Sequence, residues 1–282
     1  NIAYEAATVD LGDINMVDPF HLEAYSQIAI NYNRDIENFP ILREILKRIG
    51  KNSYKSPTDM GVSKAKEGII NDNIVKDAAK NEIIRRYFRH KKDVLFGIHE
   101  KIILERIEKL MQKLGINEDY RKTVNYARNA AKEAQLQQNK GNKGFYCGAA
   151  LEIDEKIITG KNSPLLHAES ACIINTLKSL AGIPADIDLI PEHIFQSIRE
   201  MKKNLCNSNN PSLDVNEILI ALSISAQNNP SAKRCVEKLC LLKNCEMHTT
   251  HLPSKGDEEG IRNIGINLTS DIELGPKIYL KD

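Results

Sequence analysis

The sequence predicts a mixed α and β protein in which a helical middle region is followed by an α/β domain. Apolar residues recur at steps of three and four between about residues 72 and 138, as on one face of an amphipathic helix. From Phe145 onward, short apolar runs separated by turn residues are typical of strands. Helical and extended patterns then alternate, which predicts helices packed against a sheet.

The composition is that of an ordinary globular chain. It has 282 residues, of which 41% are hydrophobic and 27% charged, enough for two modest domains. The net charge is +1, so we expect no general affinity for nucleic acids or membranes. The longest nearly apolar stretch, Ile218 to Ala226, is well short of the roughly 20 residues that span a bilayer. Six cysteines without a secretion signal indicate a cytoplasmic protein with reduced thiols.

The first fifty residues alternate short helical and extended patterns. A helix is predicted from about Asn38 to Ile49, where Gly50 ends it. The segment from Lys51 to Gly61 has Ser, Pro, Asp and Gly at turn spacing, which predicts a loop.

Three helices are predicted in the middle region. The first carries an apolar stripe from Ile74 to Phe88, and the second extends from about Asp93 to Leu114, where Gly115 ends it. The third is predicted from an Asn117 cap to about Gln138. Apolar residues are sparse toward its end, which indicates a helix that projects into solvent or contacts a partner.

The pattern changes after the third helix, and a domain boundary is predicted near residue 139. Residues Phe145 to Ile153 and Lys156 to Thr159, with a turn at Asp154-Glu155, are predicted to form a β-hairpin. Further helices are predicted at about residues 164–180, 191–205, 214–226, 231–241 and 257–263, with extended segments at 245–252 and 266–269.

Two polar clusters near the start of the chain combine groups that bind anions with groups that move protons. Arginine and lysine bind phosphates, and a carboxylate or a histidine transfers protons. The same residues are common in ordinary turns and helix caps, so both interpretations stay open. The candidate substrate-binding residues are Asp18, His21, Asn33 and Arg34 in the first cluster and Lys55, Ser56, Thr58 and Asp59 in the second.

A third candidate site lies at Lys161 and Ser163, after the predicted hairpin. The Gly160-Lys161 pair is not part of a P-loop, because Glu155 stands where that motif needs a glycine. Ser163 is predicted to cap a helix whose first residue is Pro164, which would leave N–H groups beside the Lys161 ammonium. Such a turn could bind a phosphate, or it could be an ordinary helix cap.

The segment His167-Ala168-Glu169 has the His-x-Glu spacing of zinc deaminases. Those enzymes also need Pro-Cys-x-x-Cys, and no Cys-x-x-Cys occurs in this sequence. We therefore favour a helix with a surface-facing histidine and glutamate. The later cysteines are spaced for core packing rather than for metal binding, and no metal site is predicted.

Several long stretches resemble one known family. They are residues 1–8, 10–25, 31–35, 54–62, 83–87, 158–161, 219–226 and 245–249, which include Asp10-Leu11-Gly12-Asp13 and Tyr54-Lys55-Ser56-Pro57. Through them essentially the whole chain resembles the uncharacterised bacterial protein family 0371, whose proteins carry domain of unknown function 1846.

This resemblance implies that the chain is the C-terminal part of a longer protein and that the chain lacks the N-terminal P-loop-like domain of that protein. Residues 1–50 would then be the tail of that domain, residues 51–138 a helical domain, and residues 139–282 an α/β domain with cytidine-deaminase-like topology.

Three functions are compatible with the sequence. The first is a cytosolic enzyme that binds a nucleotide or a phosphorylated metabolite, a phosphate-bearing small molecule. The second is a non-catalytic binding or oligomerisation module, in which the long helices would form the contact between copies of a homo-oligomer. The third is a zinc-dependent, deaminase-like hydrolase. No particular cofactor is predicted.

Overall fold

The computed structural model describes residues 72–138, 140–142, 144–205 and 210–273. The chain divides into two compact units, Asn1–Tyr120 and Arg121–Asp282. The helix and loop predicted before residue 62 lie outside the described residues. The division into residues 1–50, 51–138 and 139–282 stays a prediction.

The described part of the first unit contains two packed helices, α1 (Asp72–Leu95) and α2 (Lys101–Leu114). Ile83, Ile84 and Phe88 of the predicted stripe are buried. The second helix begins later than predicted, because Gly97 adopts a left-handed conformation with φ of +70° and ends the first. Its end at Gly115 is confirmed.

The second unit begins with helix α3 (Lys122–Gln137), which packs across the strands of a sheet. Val124, Ala127, Ala130 and Ala134 are buried on this contact side. The helix therefore does not project into solvent, and its contact with a partner stays a prediction. Its buried face consists mainly of alanines, whose small side chains let the helix lie close to the sheet.

The predicted hairpin is confirmed as β1 (Gly148–Ile153) and β2 (Lys156–Lys161). Its two turn residues, Asp154 and Glu155, have φ of +47° and +63°. Two consecutive positive φ angles are typical of the tight turn that matches the twist of paired strands.

The remaining elements alternate as the sequence predicts, with shifts of a few residues at several ends. They are α4 (Ala168–Ala181), α5 (Glu192–Leu205), α6 (Val215–Ser225), α7 (Pro230–Val236), β3 (Glu246–Thr249), α8 (Lys255–Ile264) and β4 (Asn267–Ser270). The predicted mixed α and β fold is thus confirmed.

Within the described residues the four strands form one sheet in the order β2-β1-β3-β4. Strand β1 is antiparallel to both neighbours, whereas β3 and β4 are parallel. Side chains alternate between the two faces. Gly148 and His248 face α3, and Ala149, Gly160 and Thr249 face α4 on the opposite side.

The main core lies between the sheet and α4, α6 and α8. Leu151 and Met247 from the strands pack there with Leu177, Ile218 and Ile261 from the helices, all fully buried. None of the helices in the described ranges is both long and apolar enough to cross a membrane. The cytoplasmic location stays a prediction.

On the α3 side of the sheet, buried His248 lies beside charged groups. Its Nδ1 is 2.9 Å from the Thr269 hydroxyl and its Nε2 is 3.6 Å from Asp271. Arg128 holds the Asp271 carboxylate with two N–H groups, at 3.0 and 2.6 Å. Burial lowers the pKa of His248 below 6.5, and nearby Arg121 and Arg128 add to that effect, while Asp271 only partly opposes it.

We expect acid to destabilise the second unit through His248. A histidine with a lowered pKa in the folded state is protonated first in the unfolded chain, so stability is lost as pH falls below about 6.5. His248→Gln should therefore show a shallower loss of unfolding free energy between about pH 7 and 5. Urea unfolding of both proteins across this range checks the slope. Equal slopes would contradict a neutral, buried imidazole.

Candidate functional site

Polar side chains collect where α4 and α8 begin beside the end of β3. His167 is the N-cap residue of α4, and Ser254 is the N-cap of α8. Within this group His167 is 3% exposed, and Glu169 and Asp257 are 0% exposed. We call these three residues the buried cluster. Charged residues are seldom fully buried without a specific reason.

His167 is held from both sides of its ring. Nδ1 lies 2.6 Å from Asp257 Oδ2, and Nε2 lies 2.9 Å from Asn210 Nδ2. The Asn210 amide is oriented by its oxygen, which accepts a hydrogen bond from the Ser212 backbone N–H. Burial opposes protonation of His167, but the carboxylates of Asp257 and Glu169 outweigh it and raise the pKa.

Asp257 is fixed by three neighbours. Besides His167, it accepts hydrogen bonds from the Ser254 hydroxyl at 2.7 Å and from the backbone N–H of Val215 at 2.9 Å. Burial raises the pKa of Asp257, yet His167 and Ser254 outweigh that effect and lower it overall. The carboxylate therefore stays ionised, next to the first turns of α6 and α8.

Glu169 has one satisfied and one unsatisfied oxygen. Oε1 accepts a hydrogen bond from the Thr249 hydroxyl at 2.7 Å and lies 3.5 Å from His251 Nε2. Oε2 is buried and has no hydrogen-bond partner among the described residues. A buried carboxylate oxygen without a partner is costly, so it marks a place where another group should bind.

The cluster has donors of the kind that hold metal ions. The ligand atoms of His167, Glu169 and Asp257 all lie within 4.8 Å of one another. Cys147 is close enough for these carboxylates to raise its pKa further, but burial is the main cause, and its sulfur stays a neutral thiol. Among the described residues, His90, Asp93 and His99 of the first unit form a second such group, which is only half-buried.

The prediction of a surface-facing histidine and glutamate is wrong for this helix start. Both residues face inward, because α8 and the end of β3 cover the start of α4. The sequence did contain a signal for the second half of the site. Pro253-Ser254-Lys255-Gly256-Asp257 has the spacing of Pro-Cys-x-x-Cys, with serine and aspartate at the two cysteine positions. A search for cysteines passes over it.

The predicted helix cap at Ser163 is also wrong. Helix α4 begins at Ala168, and the Ser163 hydroxyl instead accepts hydrogen bonds from the N–H groups of Leu165 and Leu166. Those N–H groups are therefore already used within a turn. Lys161 pairs with Glu133 at 3.1 Å.

Lys161 and Ser163 nevertheless line one cleft, with a volume of about 410 Å³. Lys140 and Lys178 also line it, so three lysines line this cleft. The other eight candidate residues, Asp18, His21, Asn33, Arg34, Lys55, Ser56, Thr58 and Asp59, lie outside the described residues.

The second unit is thus an α/β domain with helices on both faces of a mixed sheet and a buried histidine–carboxylate cluster at two helix starts. Residues 119–279 match the C-terminal domain of unknown function DUF1846, and residues 1–115 match its N-terminal domain. The chain belongs to this family. Because the N-terminal domain matches residues 1–115, the expectation that this chain lacks the N-terminal domain is not supported.

Curated relatives agree with this assignment. The chain is 45% identical over 276 residues to a UPF0371 protein of Clostridium tetani, covering 97% of this chain and 55% of the relative. It is 46% identical over 278 residues to one of Fusobacterium nucleatum, covering 96% and 54%. The chain therefore spans about half the length of these relatives.

Proposed function

We propose that the second unit is the catalytic domain of an enzyme that hydrolyses a small polar molecule at the buried cluster. The observation that carries this proposal is the unpartnered Oε2 of Glu169, fully buried beside His167 and Asp257. Burying such an oxygen without a partner lowers the stability of the fold, whereas a hydrogen bond from a water molecule or a substrate would satisfy it.

Glu169 is the proton acceptor in this proposal. Its Oε2 takes a proton from water as the water oxygen bonds to an electrophilic carbon of the substrate. The same carboxyl then gives that proton to the leaving group, whose bond to the carbon breaks. Thr249 fixes the other oxygen at 2.7 Å, so Glu169 has little freedom to turn away.

The arrangement of the elements supports a cytidine-deaminase-like topology for this domain. The supporting observations are the strand order β2-β1-β3-β4, the antiparallel β1, and the His-x-Glu segment that starts the helix after the hairpin. The Pro253-to-Asp257 segment at the start of α8, directly after β3, adds to them. The reaction class that fits a deaminase-like topology is hydrolysis at a carbon that bears an amine or oxygen leaving group.

A phosphate-bearing substrate is the second part of this proposal, and the amine-lined cleft favours it. Lys140, Lys161 and Lys178 line the cleft, and Asn175 lines it as well. Amines balance the charge of a phosphate, and Lys161 would exchange its exposed partner Glu133 for it. The substrate that fits such a cleft is a nucleotide or a phosphorylated metabolite. The alternative of a binding or oligomerisation module stays open.

The test is turnover of a panel of small molecules, each supplied with and without its phosphate. We expect Glu169→Gln to lower the rate at least about 100-fold, the lower end of the range for one proton-transfer group. Its unfolding free energy should stay equal or rise, because the glutamine carries no buried charge.

Lys161→Ala is the companion variant, and Lys156→Ala on the exposed end of the same strand is its control. We expect Lys161→Ala to raise KM for phosphorylated substrates alone. Full activity in Glu169→Gln would refute the catalytic proposal, and an equal KM change for both substrate forms would refute the phosphate site.

A further inference from the structure

We propose that the buried cluster binds one divalent metal ion, held by His167 Nδ1 and Asp257 Oδ2, with Glu169 Oε2 facing the ion's open positions. This deepens the proposed function and rests on the same site. The ligand class is a cation that accepts mixed nitrogen and oxygen donors, such as Zn²⁺, Mn²⁺ or Co²⁺.

Donor atoms from two helix starts converge on one point. Asp257 Oδ2 lies 2.6 Å from His167 Nδ1 and 2.7 Å from the Ser254 hydroxyl. Two ligands on one tetrahedral ion stand about 3.3 Å apart, given metal–ligand bonds of about 2.0–2.1 Å. The His167–Asp257 pair therefore needs to open by less than about 1 Å, which small side-chain rotations supply.

The unsatisfied oxygen of Glu169 is an independent indication of a ligand at this site. A carboxylate oxygen of Glu169 is within 4.8 Å of the His167 and Asp257 donors, and Oε2 of the same carboxylate has no hydrogen-bond partner among the described residues. A water molecule on the ion would donate its hydrogen bond to this oxygen. The ion would make this water more acidic, and Glu169 would accept its proton as the water oxygen bonds to the substrate carbon in the hydrolysis proposed above.

The negative charge of the buried carboxylates also favours a cation at this site. Asp257 contacts the His167 ring and Glu169 lies in the same cluster, so two buried carboxylates lie beside one imidazole at this end of the sheet. In the described part of the chain, no lysine or arginine is hydrogen-bonded to the carboxylates of Glu169 or Asp257. A divalent cation would balance their negative charge.

The experiment is titration of the chelator-treated, dialysed protein with Co²⁺, followed by calorimetry and visible absorption. We expect one Co²⁺ ion to bind at the buried cluster. The bound Co²⁺ should show the d–d absorption of nitrogen and oxygen ligands. It should show no thiolate charge-transfer band, because the Cys147 sulfur is not a ligand. His167→Gln should weaken binding at least about tenfold. Asp257→Asn is not used, because the Asp257 carboxylate also accepts a hydrogen bond from the Val215 backbone N–H, and this replacement would change the stability of the domain as well as the metal site.

His99→Gln is the matched control, since His99 belongs to the other metal-type group of the described residues. The proposal would be overturned if His99→Gln abolished Co²⁺ binding while His167→Gln preserved it. So would the absence of binding up to about 1 mM Co²⁺, an affinity too weak for a resident ion. Glu169-dependent turnover without ion binding would refute only this inference. Ion binding at His167 without turnover would refute only the proposed function.

Discussion

Replacing Arg121 with methionine is expected to lower the unfolding free energy of the second unit by about 3 kcal/mol, the lower end of the range for breaking a buried ion pair. Arg121 is 2% exposed and precedes helix α3. Its guanidinium pairs with Glu246 and donates to the backbone carbonyls of Met247 at 2.8 Å and Asn267 at 2.9 Å.

These contacts join the start of α3 to two parallel strands. Methionine fills a similar volume but donates no hydrogen bonds, so both carbonyls lose a donor and Glu246 loses its cation. Glu246 is 23% exposed, and water therefore compensates part of the loss. Arg121→Lys keeps the charge without the planar fork and should fall between methionine and the native protein.

Urea unfolding followed by circular dichroism measures this effect. Lys122→Ala is the neighbouring control, because Lys122 is 66% exposed and its ion pair with Glu152 spans 3.6 Å. It should change the unfolding free energy by no more than about 0.5 kcal/mol. A loss below about 1 kcal/mol for Arg121→Met would show that the guanidinium does not join helix and strands.

Gly160→Ala is expected to lower the unfolding free energy by about 3 kcal/mol, at the upper end of the usual range for overpacking. A Cβ at this position would lie 2.2 Å from the backbone nitrogen of Cys172 and 2.4 Å from the carbonyl oxygen of Ala168. Both atoms belong to the backbone of α4, which cannot rotate away as a side chain does. The helix must therefore move off β2.

The measurement is again urea unfolding, with Lys156→Ala on the same strand as the control. Because Lys156 is exposed, its replacement should leave stability nearly unchanged. Since α4 also carries Glu169, Gly160→Ala should weaken activity in whatever fraction stays folded. A stability equal to that of the control would contradict the close approach of α4 to β2.

The local pattern predicted most elements of the second unit. The β-hairpin follows from two strand-forming runs around Asp154-Glu155, and its pairing involves residues close in the chain. Helix α6 is similarly local, because Asp214 and Glu217 form a capping box within one turn. The environment of α3 was not predicted, since Ala127, Ala130 and Ala134 give little apolar contrast against their polar neighbours.

The sequence by itself determined the family, the mixed α and β class and the position of His167 and Glu169 next to a helix start. Only the tertiary structure decided that these residues are buried, because their partners come from distant parts of the chain. Asp257 follows His167 by 90 residues, and Thr249 follows Glu169 by 80. Strand pairing of β3 with β1 brings these segments together, and no local pattern encodes that pairing.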